Sequence, residues 1–179
     1  MRLIKKFDGK KILIRELLKT DLKRTKDFLD FINSLVEEDA QILRDKKVTI
    51  KEERDWLKKE IEEIKKKERI VIVAEDKNRI VGICDASLRK YRESHVCEIG
   101  ISVRKEYRGI GLGKFLMKTC MKIAKKKLKP KIFRLSVFST NKIAMNLYKK
   151  LGFKKVARIP KQLQYKNKLV DEIVMIREA

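Results

Sequence analysis

Ile99-Gly-Ile-Ser-Val-Arg-Lys-Glu-Tyr-Arg108-Gly-Ile-Gly-Leu-Gly113-Lys-Phe-Leu-Met117 is the stretch whose reading decides the fold. An apolar strand runs into a short basic turn, and three of the chain's seven glycines fall between Gly109 and Gly113 before an amphipathic helix begins. Glycine permits backbone geometries closed to other residues and lets a ligand touch the main chain. The unpaired amides of a first helical turn, with the helix dipole behind them, attract phosphate. The stretch therefore reads as an anion cradle.

Two common phosphate binders are excluded. A Walker-type loop needs Ser or Thr after Gly-Lys to reach a magnesium ion, and here Phe115 follows Gly113-Lys114. A dinucleotide fingerprint needs Gly-x-Gly-x-x-Gly and an acidic residue about 20 positions on. Gly109-Ile-Gly111-Leu-Gly113 has the wrong final spacing, and Arg134 lies downstream.

Arg108-Gly109-Ile110-Gly111-Leu112-Gly113 instead resembles the Arg/Gln-x-x-Gly-x-Gly/Ala signature of the GNAT superfamily of N-acetyltransferases. A second stretch, Asn141-x-x-Ala144-x-x-Leu147-Tyr148 followed by Gly152-Phe153, resembles that family's other signature at the usual distance. The resemblance implies a mixed, mostly antiparallel α/β sheet of about seven strands flanked by four helices, β-α-α-β-β-β-α-β-α-β-β, with acetyl-CoA entering between two splayed strands.

The elements read from the residues agree with that order along essentially the whole chain. Arg2 to Phe7 and Lys10 to Glu16 flank Asp8-Gly9, a hairpin dipeptide. Asp21 to Val36 has helical spacing, and Thr49-x-x-Glu52 is a capping box opening a second helix with Ile50, Leu57, Ile61 and Ile64 inward. Ile70 to Glu75, Arg79 to Leu88 and Val96 to Val103 read as strands. After the cradle helix come a strand at Ile132 to Phe138, a short helix at Asn141 to Leu151, and a final pair at Phe153 to Lys166 and Leu169 to Arg177.

A chain of 179 residues is expected to form one domain, residues 1–179. Its longest apolar runs are too short for a membrane span, so a cytoplasmic protein with no membrane contact is expected. Cys84, Cys97, Cys120 and His95 lack metal-site spacing, and no metal is expected. With 48 Lys plus Arg against 25 Asp plus Glu, the formal charge is +23. That excess either recruits polyanions, as coenzyme A, ribosomal or transfer RNA, or reflects a Lys/Glu-rich composition of the hyperthermophile kind.

Acetyl transfer to an amine needs four things: a held thioester donor, an amine relieved of its proton, a stabilised oxyanion and a leaving thiolate met by a donor. The resemblance implies that the amides of Arg108, Gly109, Ile110, Gly111, Leu112, Gly113 and Lys114 hold the pyrophosphate. It further implies that Val103 pairs with the pantetheine arm and faces the thioester oxygen. Tyr148 corresponds to a donor to the thiolate, or else is a core aromatic. Asn141 contacts the cofactor, or is a plain N-cap.

Glu98 sits in the apolar run Val96-Cys97-Glu98-Ile99, where burial would make it a useful base; alternatively it forms a cross-strand salt bridge. His95 could take the same role or simply end the strand. The first two helices, around Phe31 and Trp56, are expected to line the acceptor side. The acceptor itself is left open as a small amine or a protein N-terminus, taken by a monomer or homodimer. A coenzyme A-binding or ribosome-associated domain without catalysis is the other class.

Overall fold

The computed structural model describes residues 1–179. Asp8 and Gly9 both adopt positive φ, 44° and 79°, the geometry whose twist suits a two-residue hairpin. They join β1 (Arg2–Phe7) to β2 (Lys10–Glu16). A 3-10 turn over Lys19–Arg24 precedes α1 (Thr25–Glu37), so the regular helix starts four residues later than its periodicity suggests. Asp21 is the reason. Its carboxylate accepts two bonds from Arg15 and one from the Leu18 amide, which holds the turn tight.

α2 (Ile50–Lys65) opens on the expected capping box, in which Thr49 accepts from the Glu52 amide while Glu52 accepts from that of Thr49. β3 (Arg69–Asp76), β4 (Arg79–Leu88) and β5 (Val96–Val103) continue the antiparallel meander. α3 (Leu112–Lys127) crosses over to β6 (Ile132–Phe138), which lies parallel to β5, and α4 (Lys142–Lys150) leads to β7 (Lys154–Tyr165) and β8 (Lys168–Glu178).

The sheet has eight strands in the order β1-β2-β3-β4-β5-β6-β8-β7. That is one more than the about seven of the family pattern, because both arms of the N-terminal hairpin join the ladder. β7 is an edge, bulged around Pro160 and lined by Lys154, Lys155, Arg158 and Lys161, features that discourage further strand pairing.

α3 and α4 cover one face over a core that includes Leu116, Met117, Leu135, Tyr148 and Met175. α1 and α2 cover the other face, where Phe28, Phe31, Leu35, Leu57 and Ile61 meet Val71 and Val73. These two helices pack on β3 and β4, leaving the same face of the strands beyond open. Phe31, at 3% exposure, belongs to this core and does not line an acceptor surface. Trp56 is partly buried with its ring tilted on Phe28 at 6.3 Å. Ile50 at 45% exposure is not inward; the buried stripe of α2 runs through Glu53, Leu57, Glu60 and Ile61.

Those two glutamates carry a measurable consequence. Burial pushes each carboxyl up to about 7, opposed at Glu53 by Arg44 and at Glu60 by Arg69. Arg69 Nη1 lies 2.9 Å from Glu60 Oε2, yet that oxygen has no hydrogen bond. A folded-state value above 4.5 means the folded protein binds more protons than the unfolded chain, so stability falls as pH rises from about 4.5 to about 7. The fall is on the order of 3 kcal/mol per group. Melting temperatures of Glu53→Gln and Glu60→Gln between pH 5 and 8 should each show a flatter slope than wild type. An unchanged slope in both would show the acids ionise freely.

Candidate active site: a cradle beside two parted strands

β5 and β6 pair only over Val96–Glu98 with Ile132–Arg134, and then diverge while β6 stays bonded to β8 along Ile132–Phe138. Which groups face the opening follows from the ladder on the other side of β5. Arg104 donates to the Val81 carbonyl at 3.0 Å and Arg89 to that of Val96 at 2.9 Å. This makes Gly82 with Val103, and Leu88 with Cys97, the non-hydrogen-bonded pairs of β4 and β5. Residues of the same parity, Ile101 and Val103, therefore turn their main-chain groups away from β4 and into the gap.

The Val103 carbonyl is already occupied, by Nε of Arg108 at 2.8 Å. Its N–H is left for a ligand oxygen, so Val103 offers half of the pairing expected of it. Ile101 offers both groups and was not singled out from sequence, because side-chain type carries no record of which way a main chain faces.

At the mouth of the gap, Gly109 (φ 79°) and Gly111 (φ 85°) take left-handed conformations that swing successive amides to one side. The Arg108 amide is spent on the Lys105 carbonyl at 3.1 Å, which removes it from the expected set. The amides of Gly109, Ile110, Gly111, Leu112, Gly113 and Lys114 have no acceptor in the protein; the first helical bond of α3 is that from Phe115 to the Gly111 carbonyl. Six consecutive donors without an acceptor in the protein thus lie at a helix N-terminus. The Arg108 side chain also pairs with Glu38 at the end of α1, tying the cradle to the opposite layer.

A Cβ on Gly113 would lie 3.6 to 4.0 Å from Ile101, Leu147 and Val103, which places this glycine at the wall of the gap. Tyr148 of α4 lies on the α3/α4 side, 7% exposed and edge-on to Phe153 at 6.1 Å between centroids. Burial pushes its phenol up to about 12, so it stays protonated through the neutral range. The Asn141 side-chain oxygen caps α4 by accepting from the Ala144 amide at 3.0 Å, and its NH2 group remains available.

Glu98 lies on the opposite face, where the strands begin to part. It is not the unpaired buried acid its strand suggests. Its side chain is 37% exposed, Oε1 accepts from Arg134 Nη1 at 2.6 Å, and Arg89 stands 3.7 Å from Oε2. The cross-strand partner is the arginine of β6, brought alongside by the parallel register. His95 is exposed just before β5, where its carbonyl accepts from Lys131.

The segment after α1 is joined to the β7–β8 hairpin by Tyr165, which donates to the Asp39 carbonyl at 3.1 Å, and to the turn between β6 and α4 by Gln41, which donates to Thr140 at 2.5 Å. No group of His, Cys, Asp and Glu is arranged to hold a metal ion, and no helix is long and apolar enough to cross a membrane.

Parted strands, a run of free amides at a helix N-terminus and a buried tyrosine on the α3/α4 side are the parts this fold brings together. The family model of the acetyltransferase (GNAT) family matches residues 30–153. The chain belongs to that family. An N-alpha-acetyltransferase of Sulfurisphaera tokodaii is 40% identical over 65 residues, 36% of this chain and 38% of that protein. The match thus spans well under half of either sequence.

A ribosomal-protein-alanine N-acetyltransferase from Brucella melitensis superposes with a TM-score of 0.78 at 21% identity, over 93% of this chain and 99% of that one. A Salmonella typhimurium structure solved with its cofactor acetyl-CoA gives 0.78 at 20% identity, over 93% of each chain. At such identities the likeness speaks for the fold.

Proposed function

We infer that this enzyme acetylates a protein or peptide N-terminus by direct attack of the amine on acetyl-CoA. The observation that carries the reading is the two-sidedness of the gap. Tyr148 lies on the α3/α4 side and Glu98 on the α1/α2 side, so the leaving sulfur and the incoming amine have separate approaches.

The cradle amides of Gly109 to Lys114 hold the pyrophosphate, Ile101 and Val103 align the pantetheine arm, and the Val103 N–H meets the thioester oxygen. A phenol near 12 does not hand its proton outright to a thiolate of about 8.5. Tyr148 instead stabilises the sulfur by donating a hydrogen bond. Glu98, bonded to arginine and open to water, relays the amine's proton to solvent.

The open face beyond α1 and α2 supports an extended acceptor, since it leaves room for a chain along β6 and β8. An α-amino group, with a pKa of about 7.7–8.0, is partly neutral at pH 7.5 and asks little of a base, whereas a lysine-like amine near 10.4 asks more. The relatives named for N-terminal and ribosomal-protein alanine acetylation agree with this choice. The test is acetyl transfer from acetyl-CoA to peptides with free and blocked N-termini, beside polyamines and aminoglycosides. Preference for small amines would overturn the peptide assignment.

Glu98→Gln should lower turnover about 100-fold, the low end of general-base work, with little change in melting temperature because exposed ion pairs contribute at most about 1 kcal/mol. Turnover within twofold of wild type would reduce Glu98 to the salt bridge with Arg134.

A further inference from the structure

We propose that Asp85 of β4, over Gly100 and beside the gap, recruits the acceptor amine by binding its ammonium form before Glu98 relays the proton away. The inference rests on the acetyl-transfer reading above and deepens it.

Asp85 faces Gly100 directly in the β4–β5 register. Its Oδ2 accepts from Arg69 Nη1 at 2.9 Å, while Oδ1 lies 3.2 Å from where a Gly100 Cβ would be. Gly100 has no positive φ, so no backbone conformation calls for glycine there. What its missing side chain provides is room for the carboxylate to lean across β5 on the open face. An isolated glycine in a strand marks a close approach of this kind. Gly100 stands between Ile99 and Ile101, where the pairing with β6 has ended. A cation held by Oδ1 is thus within about one strand spacing, ~4.8 Å, of the gap.

The charges around it leave that oxygen in need of a cation. Arg69 is shared among Asp85, Glu63 at 2.6 Å and Glu60 at 2.9 Å, with Lys59 4.0 Å from Glu63 on its outer side, so Asp85 has only a share of one guanidinium. Glu98, the other acid facing Asp85, is met by its own arginines, Arg134 and Arg89. Burial raises the Asp85 carboxyl above its usual range, with Arg69 pulling it down and Glu63 and Glu98 adding to the rise. The side chain is nonetheless 33% exposed, so a ligand can reach it.

The experiment compares wild type, Asp85→Asn and Gly100→Ala, with the peptide or amine acetylated fastest by wild type as probe. Asp85→Asn should raise the acceptor KM about 10- to 100-fold, the range for one charged hydrogen bond. The acetyl-CoA KM and the acetyl-CoA-induced rise in melting temperature should stay within twofold. Gly100→Ala, which displaces Oδ1 without removing it, should act in the same direction, and Asp85→Glu should recover part of the loss. Should Asp85→Asn fail to fold, Gly100→Ala carries the same test. A lower melting temperature with unchanged acceptor KM would make Asp85 merely the partner of Arg69 and overturn the proposal. Equal changes in both KM values would also overturn it. If wild type acetylates no amine, the acetyl-transfer reading falls and takes this proposal with it.

Discussion

Tyr148→Phe should lose about 100- to 1,000-fold in turnover, the range for removing one hydrogen-bond donor to charge developing in the transition state, while acetyl-CoA binds as before. The substitution removes one oxygen from a ring packed edge-on to Phe153 and nine-tenths buried, so the core it belongs to keeps its shape. What is lost, on the proposed mechanism, is the donor to the departing sulfur. Because burial pushes the phenol up to about 12, it remains protonated well above neutral pH. Tyr148 therefore adds no alkaline limb near pH 8 or 9, and a limb found there should persist in the mutant. Single-turnover rates at saturating acetyl-CoA, taken across pH, measure the effect with chemistry isolated from product release. A rate within twofold of wild type would reduce Tyr148 to packing.

Gly111→Glu should abolish acetyl-CoA binding in a protein that still folds. At 100 times its dissociation constant the ligand adds about 2.7 kcal/mol, which for a chain of this size raises the melting temperature by roughly 5 to 11 °C. A Cβ at Gly111 would meet nothing within 4 Å, so the free protein bears only the strain of a left-handed residue, about 1–2 kcal/mol. If the six amides hold the pyrophosphate as proposed, the ligand bears far more, because a carboxylate placed among them would repel its phosphates. Differential scanning fluorimetry with and without acetyl-CoA decides it. A full shift in the mutant would place the pyrophosphate elsewhere.

How much of the fold was legible depends on how local its causes are. The Asp8-Gly9 hairpin, the Thr49 capping box and the glycine cradle rest on neighbours within a few residues, and each appears where its residues indicate. The helix start near Asp21 did not, because Arg15 from another element holds that carboxylate. Ile50 was misplaced because helical spacing defines a stripe without saying which residues the neighbouring layer covers, and that stripe passes through Glu53 and Glu60.

The site divides in the same way. The amino-acid sequence by itself determined the cradle, the family and the candidacy of Tyr148, since φ requirements at glycine and helix-terminal amides are properties of a short segment. Only the tertiary structure decided the partners. It set Arg134 against Glu98, committed the Val103 carbonyl and Arg108 amide, turned Ile101 toward the gap and laid Asp85 over Gly100. Asp85 carried the same signal as Glu98, a lone acid in an apolar strand, but its meaning lay in a glycine fifteen residues away. Register and strand divergence join residues distant in the chain, and no local pattern encodes which pairs will meet.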